Sequence, residues 1–331
     1  MTAQTRFSQT MTLSPLNPGP LISNMNIYRT DTFPIPLPRG HRFPAEKYPM
    51  LARRLVEDGL LAENEMLVPR EATRQELLRV HTLDYLRRLE RGTITPKERR
   101  RIGLPWSAEL ISRSYRSVGA TVESAFAALK DGVAVSLAGG THHAFEDRGE
   151  GYCLLNDVAV AARAVQAAGR AERILVIDAD VHQGNGTAHI FRNDPEVFTF
   201  SIHGKNNFPL QKLTSDLDVE LADGTGDETY LEALDRGLDE TAGRFAPQLA
   251  IYLAGADPHR RDRYGRMALS QKGLVERDRR VFAFCRKQGL PVAVTMAGGY
   301  GRNVADTVNI HVQTVRIFMD AASSYCLPKP L

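Results

Sequence analysis

One stretch of the chain decides its fold: residues 173–187 read RILVIDADVHQGNGT. The apolar run 174–177 is short and rich in β-branched residues, which is typical of a buried parallel strand. Because alternate residues of an extended chain share a face, Asp178, Asp180 and His182 can point the same way. Such a buried polar cluster is costly without a partner, and a metal cation is the simplest partner for it. We therefore expect this stretch to form half of a metal-centred site.

The composition is that of a soluble globular protein. The 331 residues are 43% hydrophobic and 24% charged, so a sizeable core can form. A formal net charge of +3 gives no reason to expect direct nucleic-acid binding. No apolar run approaches the roughly 18 residues that span a bilayer, so no membrane partner is expected. The three cysteines are few and irregularly spaced, which favours a reducing cytoplasm over a disulfide scaffold.

The N-terminal residues differ in composition from the rest of the chain. The first twenty are rich in Thr, Ser, Pro and Asn and lack the apolar core of a signal peptide. We expect residues 1–25 to be a disordered leader and residues 26–325 to form one catalytic domain. A homo-oligomer is compatible with the sequence, which carries no signal that decides the point.

Apolar runs and helical segments alternate along the chain, which predicts an α/β fold with a central, mainly parallel sheet flanked by helices. In such sheets ligands bind beyond the carboxyl ends of the strands. The predicted helices cover residues 45–58, 83–90, 107–129, 156–168, 226–242, 273–288 and 304–322, with a short strand at 26–28. Five central strands are predicted, at 133–137, 174–177, 197–200, 249–253 and 291–295. Each is followed by polar or glycine-rich residues, which lie in the same order at 139–143, 178–182, 201–203, 255–257 and 298–300.

The basic stretch 87–101 contains Lys97, Arg99, Arg100 and Arg101. Short runs of charge are common on protein surfaces, so we expect a solvated loop. The alternative is a rim that attracts an acidic partner, and the sequence does not decide between them.

Three residues at the strand ends form a candidate metal site. Asp180 and His182 lie two residues apart on one segment, and Asp257 follows another strand. Three protein ligands plus an open position are the usual arrangement of a catalytic zinc ion. An Asp-His-Asp set suits Zn²⁺ or Fe²⁺, and it argues against a structural thiolate site.

The adjacent histidines His142 and His143 are candidates for proton transfer. One of them could act as a general base toward a metal-activated water and later as an acid toward the leaving group. Alternation along the chain should splay the two rings. Asp178 and Asn185 are candidates to hold their second ring nitrogens. Because a carboxylate favours an imidazolium more than an amide does, the histidine beside Asn185 should be the more readily neutral one.

Tyr300 follows Gly298 and Gly299 and could direct its hydroxyl at an oxyanion that develops on a metal-bound carbonyl. The alternative is that the two glycines only make a tight connection.

Taken together, the motifs resemble those of the zinc-dependent histone deacetylase family, and the resemblance covers residues 27–319. Further segments resemble the class IV branch and its bacterial relatives: 65–73, 80–86, 262–265 and 273–278. The family motifs are GTHH at 140–143, GYCLLND at 151–157, DADVHQGNG at 178–186, GAD at 255–257 and GGY at 298–300.

The resemblance implies a single-domain arginase/deacetylase-like fold with one zinc ion on Asp180, His182 and Asp257. It also implies that the catalytic residues are His142 and His143 with their partners Asp178 and Asn185, and Tyr300. A structural potassium ion is implied at positions matching Asp178, Asp180, His182, Ser201 and Ile202. An acyl-lysine tunnel would be walled by Gly151, Tyr152 and Phe208.

The resemblance implies a zinc-dependent amidohydrolase that removes acetyl or longer acyl groups from Nε-acyl-lysine by means of metal-activated water. Its partner would be an acyl-lysine protein or peptide, or a small acyl-amine. The alternative is an amidohydrolase of acetylpolyamines or other small acyl-amines. Two other readings are a binuclear manganese ureohydrolase, which would need more carboxylates near residue 183, and a catalytically silent acyl-lysine binder.

Overall fold

The computed structural model of the protein describes residues 25–322. Apart from Met25, the leader expected over residues 1–25 lies outside the described residues. Among the described residues, no helix has the length and apolar character needed to cross a membrane.

The described residues form one sheet in which every paired strand is parallel, as the sequence predicts. The strands are β1 (Asn26–Tyr28), β2 (Met66–Leu67), β3 (Val133–Ser136), β4 (Ile174–Asp178), β5 (Val197–Gly204), β6 (Leu217–Leu221), β7 (Leu249–Leu253) and β8 (Val292–Thr295). Their spatial order is β2-β1-β3-β8-β7-β4-β5-β6. The five strands predicted as central are therefore neighbours in the middle of the sheet, which brings their carboxyl ends to one stretch of its edge.

Two strands, β2 and β6, were not predicted from the sequence. β2 has only two residues, and β6 contains Asp218 and Glu220, which interrupt the apolar pattern. Both lie at the edges of the sheet, where a strand has one partner and polar side chains meet solvent. Edge position thus explains why neither carries the apolar signal of the central strands.

Helices cover both faces of the sheet. In β4, Leu175 and Ile177 pack into one apolar cluster, while Ile174 and Val176 pack into the other, so the whole strand is buried. The helices are α1 (Lys47–Glu57), α2 (Arg74–Leu78), α3 (Leu83–Arg91), α4 (Pro96–Ile102), α5 (Ala108–Asp131), α6 (Asp157–Ala167), α7 (Asn185–Phe191), α8 (Asp227–Arg244), α9 (Gln271–Lys287) and α10 (Val304–Ala322).

The stretch 87–101 is solvent-exposed over most of its length, as expected, but the predicted loop is wrong, because this stretch forms the end of α3 and most of α4. The hydroxyl of Thr95 accepts a hydrogen bond from Glu98 N, and Glu98 Oε2 accepts one from Thr95 N at 2.7 Å. Pro96 occupies the first turn, where its missing N–H costs nothing. These N-terminal signals are present in the sequence, but the run of charge obscured them.

Candidate active site

The carboxyl ends of five neighbouring strands bring the predicted site residues together. Asp180 and His182 follow β4, Asp257 follows β7, and Tyr300 follows β8. The tandem histidines follow β3. The parallel sheet therefore gathers residues that lie more than a hundred positions apart in the chain.

Asp180, His182 and Asp257 are buried, and each offers one ligand atom within 4.8 Å of the others. His182 Nδ1 lies 2.9 Å from Asp180 Oδ1 and 3.2 Å from Asp257 Oδ2. Burial disfavours a charge on His182, but the hydrogen bond with Asp180 and the charges of both carboxylates outweigh it and raise the pKa of His182 to about 10. The site thus attracts positive charge at the point where the three side chains meet.

The remaining oxygens of the two carboxylates fix their orientation. Gly298 N donates to Asp180 Oδ2 at 2.6 Å, and Val181 N donates to Asp257 Oδ1 at 3.0 Å. Asp257 Oδ2 is buried, and its 3.2 Å approach to His182 Nδ1 is an ion-pair contact without hydrogen-bond geometry, so no described residue donates a hydrogen bond to it. Burial and the charge of Asp180 raise the pKa of Asp257 to about 7.

These residues fit a divalent metal ion. The orphaned Asp257 Oδ2 needs a partner, and two carboxylates with one imidazole form a donor set that zinc and ferrous iron accept. A Cβ at Gly298 would overlap the Oδ2 atoms of Asp180 and Asp257, so only glycine lets the backbone approach this closely.

His142 is the charged member of the histidine pair. Its Nδ1 lies 2.6 Å from Asp178 Oδ2, and its Nε2 lies 3.9 Å from Asp180 Oδ1. Burial alone would lower the pKa of His142, but the charges of Asp178 and Asp180 outweigh it and raise that pKa to about 9. Asp178 Oδ1 also accepts a hydrogen bond from Asp180 N at 3.1 Å, which holds the Asp178 carboxylate against the backbone that carries Asp180.

His143 is the neutral member of the pair. Its Nδ1 lies 2.7 Å from Asn185 Oδ1, an uncharged acceptor at the start of α7. Burial, and then the neighbouring positive charges of His142 and His182, hold the pKa of His143 well below its ordinary value.

The expected splaying of the two histidines is wrong. Their ring centroids lie 4.1 Å apart at an interplanar angle of 49°. The segment after β3 is a turn, so alternation along a strand does not apply to it. The two rings share one environment and differ mainly in their partners.

Asp157 holds the turn that carries the histidines, a role that was not predicted from the sequence. Its carboxylate accepts hydrogen bonds from Gly140 N at 3.0 Å and from Thr141 N at 2.7 Å. Thr121, on α5, donates to the same carboxylate at 2.5 Å. An Asn-Asp pair at the start of a predicted helix was the available signal, since both residues are common at helix N-termini.

His81 ties the same turn to α6. Its Nδ1 lies 3.0 Å from Phe145 O, and its Nε2 accepts from Asn156 N at 3.0 Å, which requires a neutral ring. Burial lowers the pKa of His81 to about 4. His81 therefore holds both ends of the segment between the histidines and α6.

Tyr300 is half-buried and lies beside the candidate metal site, with its ring 6.3 Å from that of His182. Asp262 Oδ2 accepts from Tyr300 N at 2.6 Å, and Asp262 Oδ1 accepts from Tyr264 N at 2.8 Å. Burial, and then the charges of Asp180 and Asp257, hold the pKa of Tyr300 well above its ordinary value, so its hydroxyl stays protonated.

The predicted tunnel residues lie against the histidine pair. The Phe208 ring is 4.9 Å from that of His143, and a Cβ at Gly151 would lie 2.6 Å from His143 Cδ2. Tyr152 has a left-handed backbone with φ 67°, and its hydroxyl lies 3.4 Å from that of Tyr264. These side chains border a mouth cavity of about 420 Å³, a size typical of small-ligand sites.

The positions expected to hold potassium lie at and just after the end of β4 and in the second half of β5, and two of them, Asp180 and His182, are also candidate metal ligands. Asp178 is paired in register with Ser201, and all five residues are buried. Ser201 Oγ lies 2.9 Å from His203 Nδ1.

Arg277 on α9 is another residue whose role was not predicted from the sequence. Its fully buried guanidinium donates to Ala179 O at 3.2 Å and to Gly255 O at 2.5 Å. Asp278 balances its charge at 2.8 Å. Since Ala179 precedes one candidate ligand and Gly255 lies two residues before another, Arg277 connects the two ligand-bearing strand ends. It lies within the segment 273–278 that resembles class IV enzymes.

Known proteins match this sequence and this fold. A profile of the histone deacetylase domain matches residues 41–315. An uncharacterized protein of Picosynechococcus sp. is 46% identical over 285 residues, which cover 86% of this chain and 95% of that protein. Histone deacetylase 2 of Arabidopsis thaliana is 30% identical over 281 residues, which cover 81% of this chain and 73% of that protein.

A solved structure agrees with the sequence matches. The crystal structure of an HDAC homologue from Aquifex aeolicus superimposes with a TM-score of 0.77 at 26% identity, and the match covers 93% of this chain and 86% of that one. The parallel eight-stranded sheet is thus the arginase/deacetylase-like fold that the sequence predicts. The chain belongs to the histone deacetylase family and is a deacetylase-type hydrolase.

Proposed function

We propose that this protein is a zinc-dependent amidohydrolase that removes acetyl or longer acyl groups from Nε-acyl-lysine. One observation supports this most strongly: a neutral histidine, His143, lies beside the buried cluster of Asp180, His182 and Asp257. An uncharged base next to a cation site is the arrangement that water activation needs.

Asp180, His182 and Asp257 would hold Zn²⁺, with Fe²⁺ as the other ion that suits them. The bound ion supplies Lewis-acid polarisation of the amide carbonyl and lowers the pKa of the attacking water. Asp178, Asp180, His182, Ser201 and Ile202 would hold a structural potassium ion, a proposal supported by their burial at adjacent strand ends.

His143 acts as the general base. Asn185 Oδ1 is an acceptor, so the proton of the neutral ring sits on Nδ1, and the lone pair of Nε2 is left for the proton of the water. Asp178 accepts the Nδ1 proton of His142, which as the charged ring also carries a proton on Nε2. The proton taken up by the histidine pair then passes to the departing lysine amine.

Tyr300 donates a hydrogen bond to the carbonyl oxygen of the substrate. Because its pKa is held well above the ordinary value, the hydroxyl keeps its proton throughout the working pH range. A donor directed at a developing oxyanion contributes more to the transition state than to the bound substrate.

A panel of fluorogenic lysine peptides tests this proposal, with acyl groups from acetyl to myristoyl, alongside acetylated polyamines, on protein of measured metal content. We expect turnover of acyl-lysine that a chelator abolishes and Zn²⁺ restores. Tyr300→Phe should lower kcat by about 10²–10³-fold. Absence of turnover across the panel contradicts the function, and full activity of Tyr300→Phe contradicts the assigned role of the hydroxyl.

A further inference from the structure

We propose that four arginines around the channel mouth form a basic rim that selects acyl-lysine flanked by acidic residues. The basic rim consists of Arg42, Arg101, Arg263 and Arg266. This inference rests on the proposed function and deepens it, because it distinguishes an acidic peptide from a cationic polyamine as the substrate.

The end of the basic helix α4 lies directly against the channel wall. Gly151 N donates to Arg101 O at 3.1 Å, and Tyr152 N donates to Ile102 O at 2.7 Å. The end of α4 therefore supports Gly151 and Tyr152, two of the residues that border the mouth. The basic stretch, for which the sequence left two interpretations open, is anchored beside the channel.

Arg42 belongs to a second segment that converges on Tyr152. His41 Nε2 lies 3.1 Å from Gly103 O at the end of α4, and the Phe43 ring lies 5.3 Å from the ring of Tyr152. Contacts on both sides thus hold Arg42 in place. Arg42 itself is exposed and borders the mouth cavity.

Arg263 and Arg266 belong to a third segment. Arg263 N donates to Tyr300 O at 3.2 Å, so this loop lies directly against the proposed catalytic tyrosine. Both arginine side chains are exposed, and Arg266 also borders the mouth cavity.

The positive charge of the basic rim is only partly balanced. Arg266 pairs with Asp223 at 3.2 Å, and Arg101 interacts electrostatically with Glu150. Arg42 and Arg263 form no ion pair with any residue in the range 25–322. Within that range, the residues bordering the mouth cavity include no carboxylate.

Both unpaired arginines act electrostatically on the Tyr152 hydroxyl, so their charges are felt at the channel wall. Carboxylates flanking an acyl-lysine would be attracted to this rim, whereas the ammonium groups of an acetylated polyamine would be repelled. Charges at the rim of an interface mainly change the association rate and its salt dependence. The preference should therefore appear in kcat/KM at low salt and weaken as salt is added.

The test compares two peptides that carry the same acyl-lysine, one flanked by Asp and Glu and the other by Lys and Arg. For the zinc-loaded wild-type protein at low salt, we expect kcat/KM to favour the acidic peptide by about tenfold, through steering of association by the rim. Arg42→Glu/Arg263→Glu should abolish or invert this ratio. The control Arg170→Glu/Lys287→Glu makes the same charge change at exposed positions just before β4 and β8, at the opposite edge of the sheet, and should keep the ratio.

Binding of the same peptides, measured by fluorescence anisotropy, separates the rim from the catalytic proposal. Turnover of both peptides with no acidic preference overturns the basic rim and leaves the proposed function standing. Absence of turnover with tighter binding of the acidic peptide supports the rim while contradicting the function. Equal binding of the two peptides without turnover contradicts both, as does turnover confined to acetylated polyamines.

Discussion

His142 and His143 are neighbours in the chain, are equally buried and have rings 4.1 Å apart, yet they favour opposite charge states. The pKa of His142 is raised to about 9, whereas that of His143 lies well below its ordinary value. Burial disfavours the charge on both rings, so it cannot explain the difference. The difference comes from the charges nearby and above all from the partner of Nδ1.

The partner of His142 is the carboxylate of Asp178, and the partner of His143 is the amide of Asn185. A carboxylate stabilises an imidazolium, while an amide oxygen orients the ring without adding charge. Once His142 is charged, it further lowers the pKa of His143. A single pair of side chains can thus supply a neutral base beside a charged group.

We expect the largest effect on activity when each of the two rings is removed in turn. We expect His143→Gln to lower kcat by about 10³-fold, because it removes the general base. His142→Gln should lower kcat less, by roughly 10–100-fold, since it removes a supporting charge. Both variants are assayed on an acetyl-lysine peptide at matched metal content. Equal losses, or a greater loss in His142→Gln, would refute this division of labour.

A third buried histidine, His81, is also held neutral, and its neutral state can be tested through protein stability rather than through catalysis. Its pKa of about 4 lies below the ordinary 6.5, so the unfolded chain binds this proton more readily than the folded chain. The stability contributed by the neutral ring is complete above pH 6.5 and is lost as the pH falls toward 4.

His81→Gln provides the matched variant, because glutamine can also donate and accept but does not titrate in this range. Between pH 7 and 4.5, the wild type should lose about 2–3 kcal/mol more unfolding free energy than His81→Gln. Urea denaturation at each pH gives the two values. Parallel stability profiles would show that His81 is not held neutral by the fold.

Exchanging the partner of His143 tests the cause of the asymmetry. Asn185→Asp places a negative charge beside His143 and should raise its pKa. The neutral form then disappears at a higher pH, so the acid limb of kcat/KM moves to higher pH by about one unit. Asp178→Asn is the comparison variant: it acts on His143 only indirectly, by lowering the pKa of His142 and so weakening the positive charge beside His143, and it should move the acid limb by less than Asn185→Asp does. An unmoved acid limb in Asn185→Asp contradicts the assignment of His143 as the base.

Arg277 allows a test of how the candidate metal ligands, rather than the histidine pair, are positioned. Arg277→Lys keeps the charge but loses the guanidinium fork that reaches Ala179 O and Gly255 O. We expect zinc affinity to fall by about tenfold, as for other groups that orient metal ligands. Competition with a chelator measures it, and Arg279→Lys, on the exposed side of α9, is the control. Unchanged affinity in a folded Arg277→Lys protein would remove this role.

The central part of the fold could be predicted because each central strand is recognisable from its own residues. Each central strand is an apolar run that ends in chemically distinctive residues, and parallel pairing brings those ends together. The edge strands β2 and β6 lack such runs. Helix α4 was missed because its capping residues lie next to a run of charged residues, which is typical of a loop. Asp157 and Arg277 bind backbone groups distant in sequence; the Asn-Asp pair at residues 156–157 indicates only a helix start, and no local pattern indicates these distant contacts.

The central claim is that the pKa of His142 lies above the ordinary value for histidine and that of the adjacent His143 lies below it. NMR of the ring nitrogens, with resonances assigned from His142→Gln and His143→Gln, measures this directly in the zinc-loaded protein. We predict that His143 is neutral at pH 7 with its proton on Nδ1, and that His142 titrates at a distinctly higher pH than His143. A higher pKa for His143 than for His142 would contradict the account.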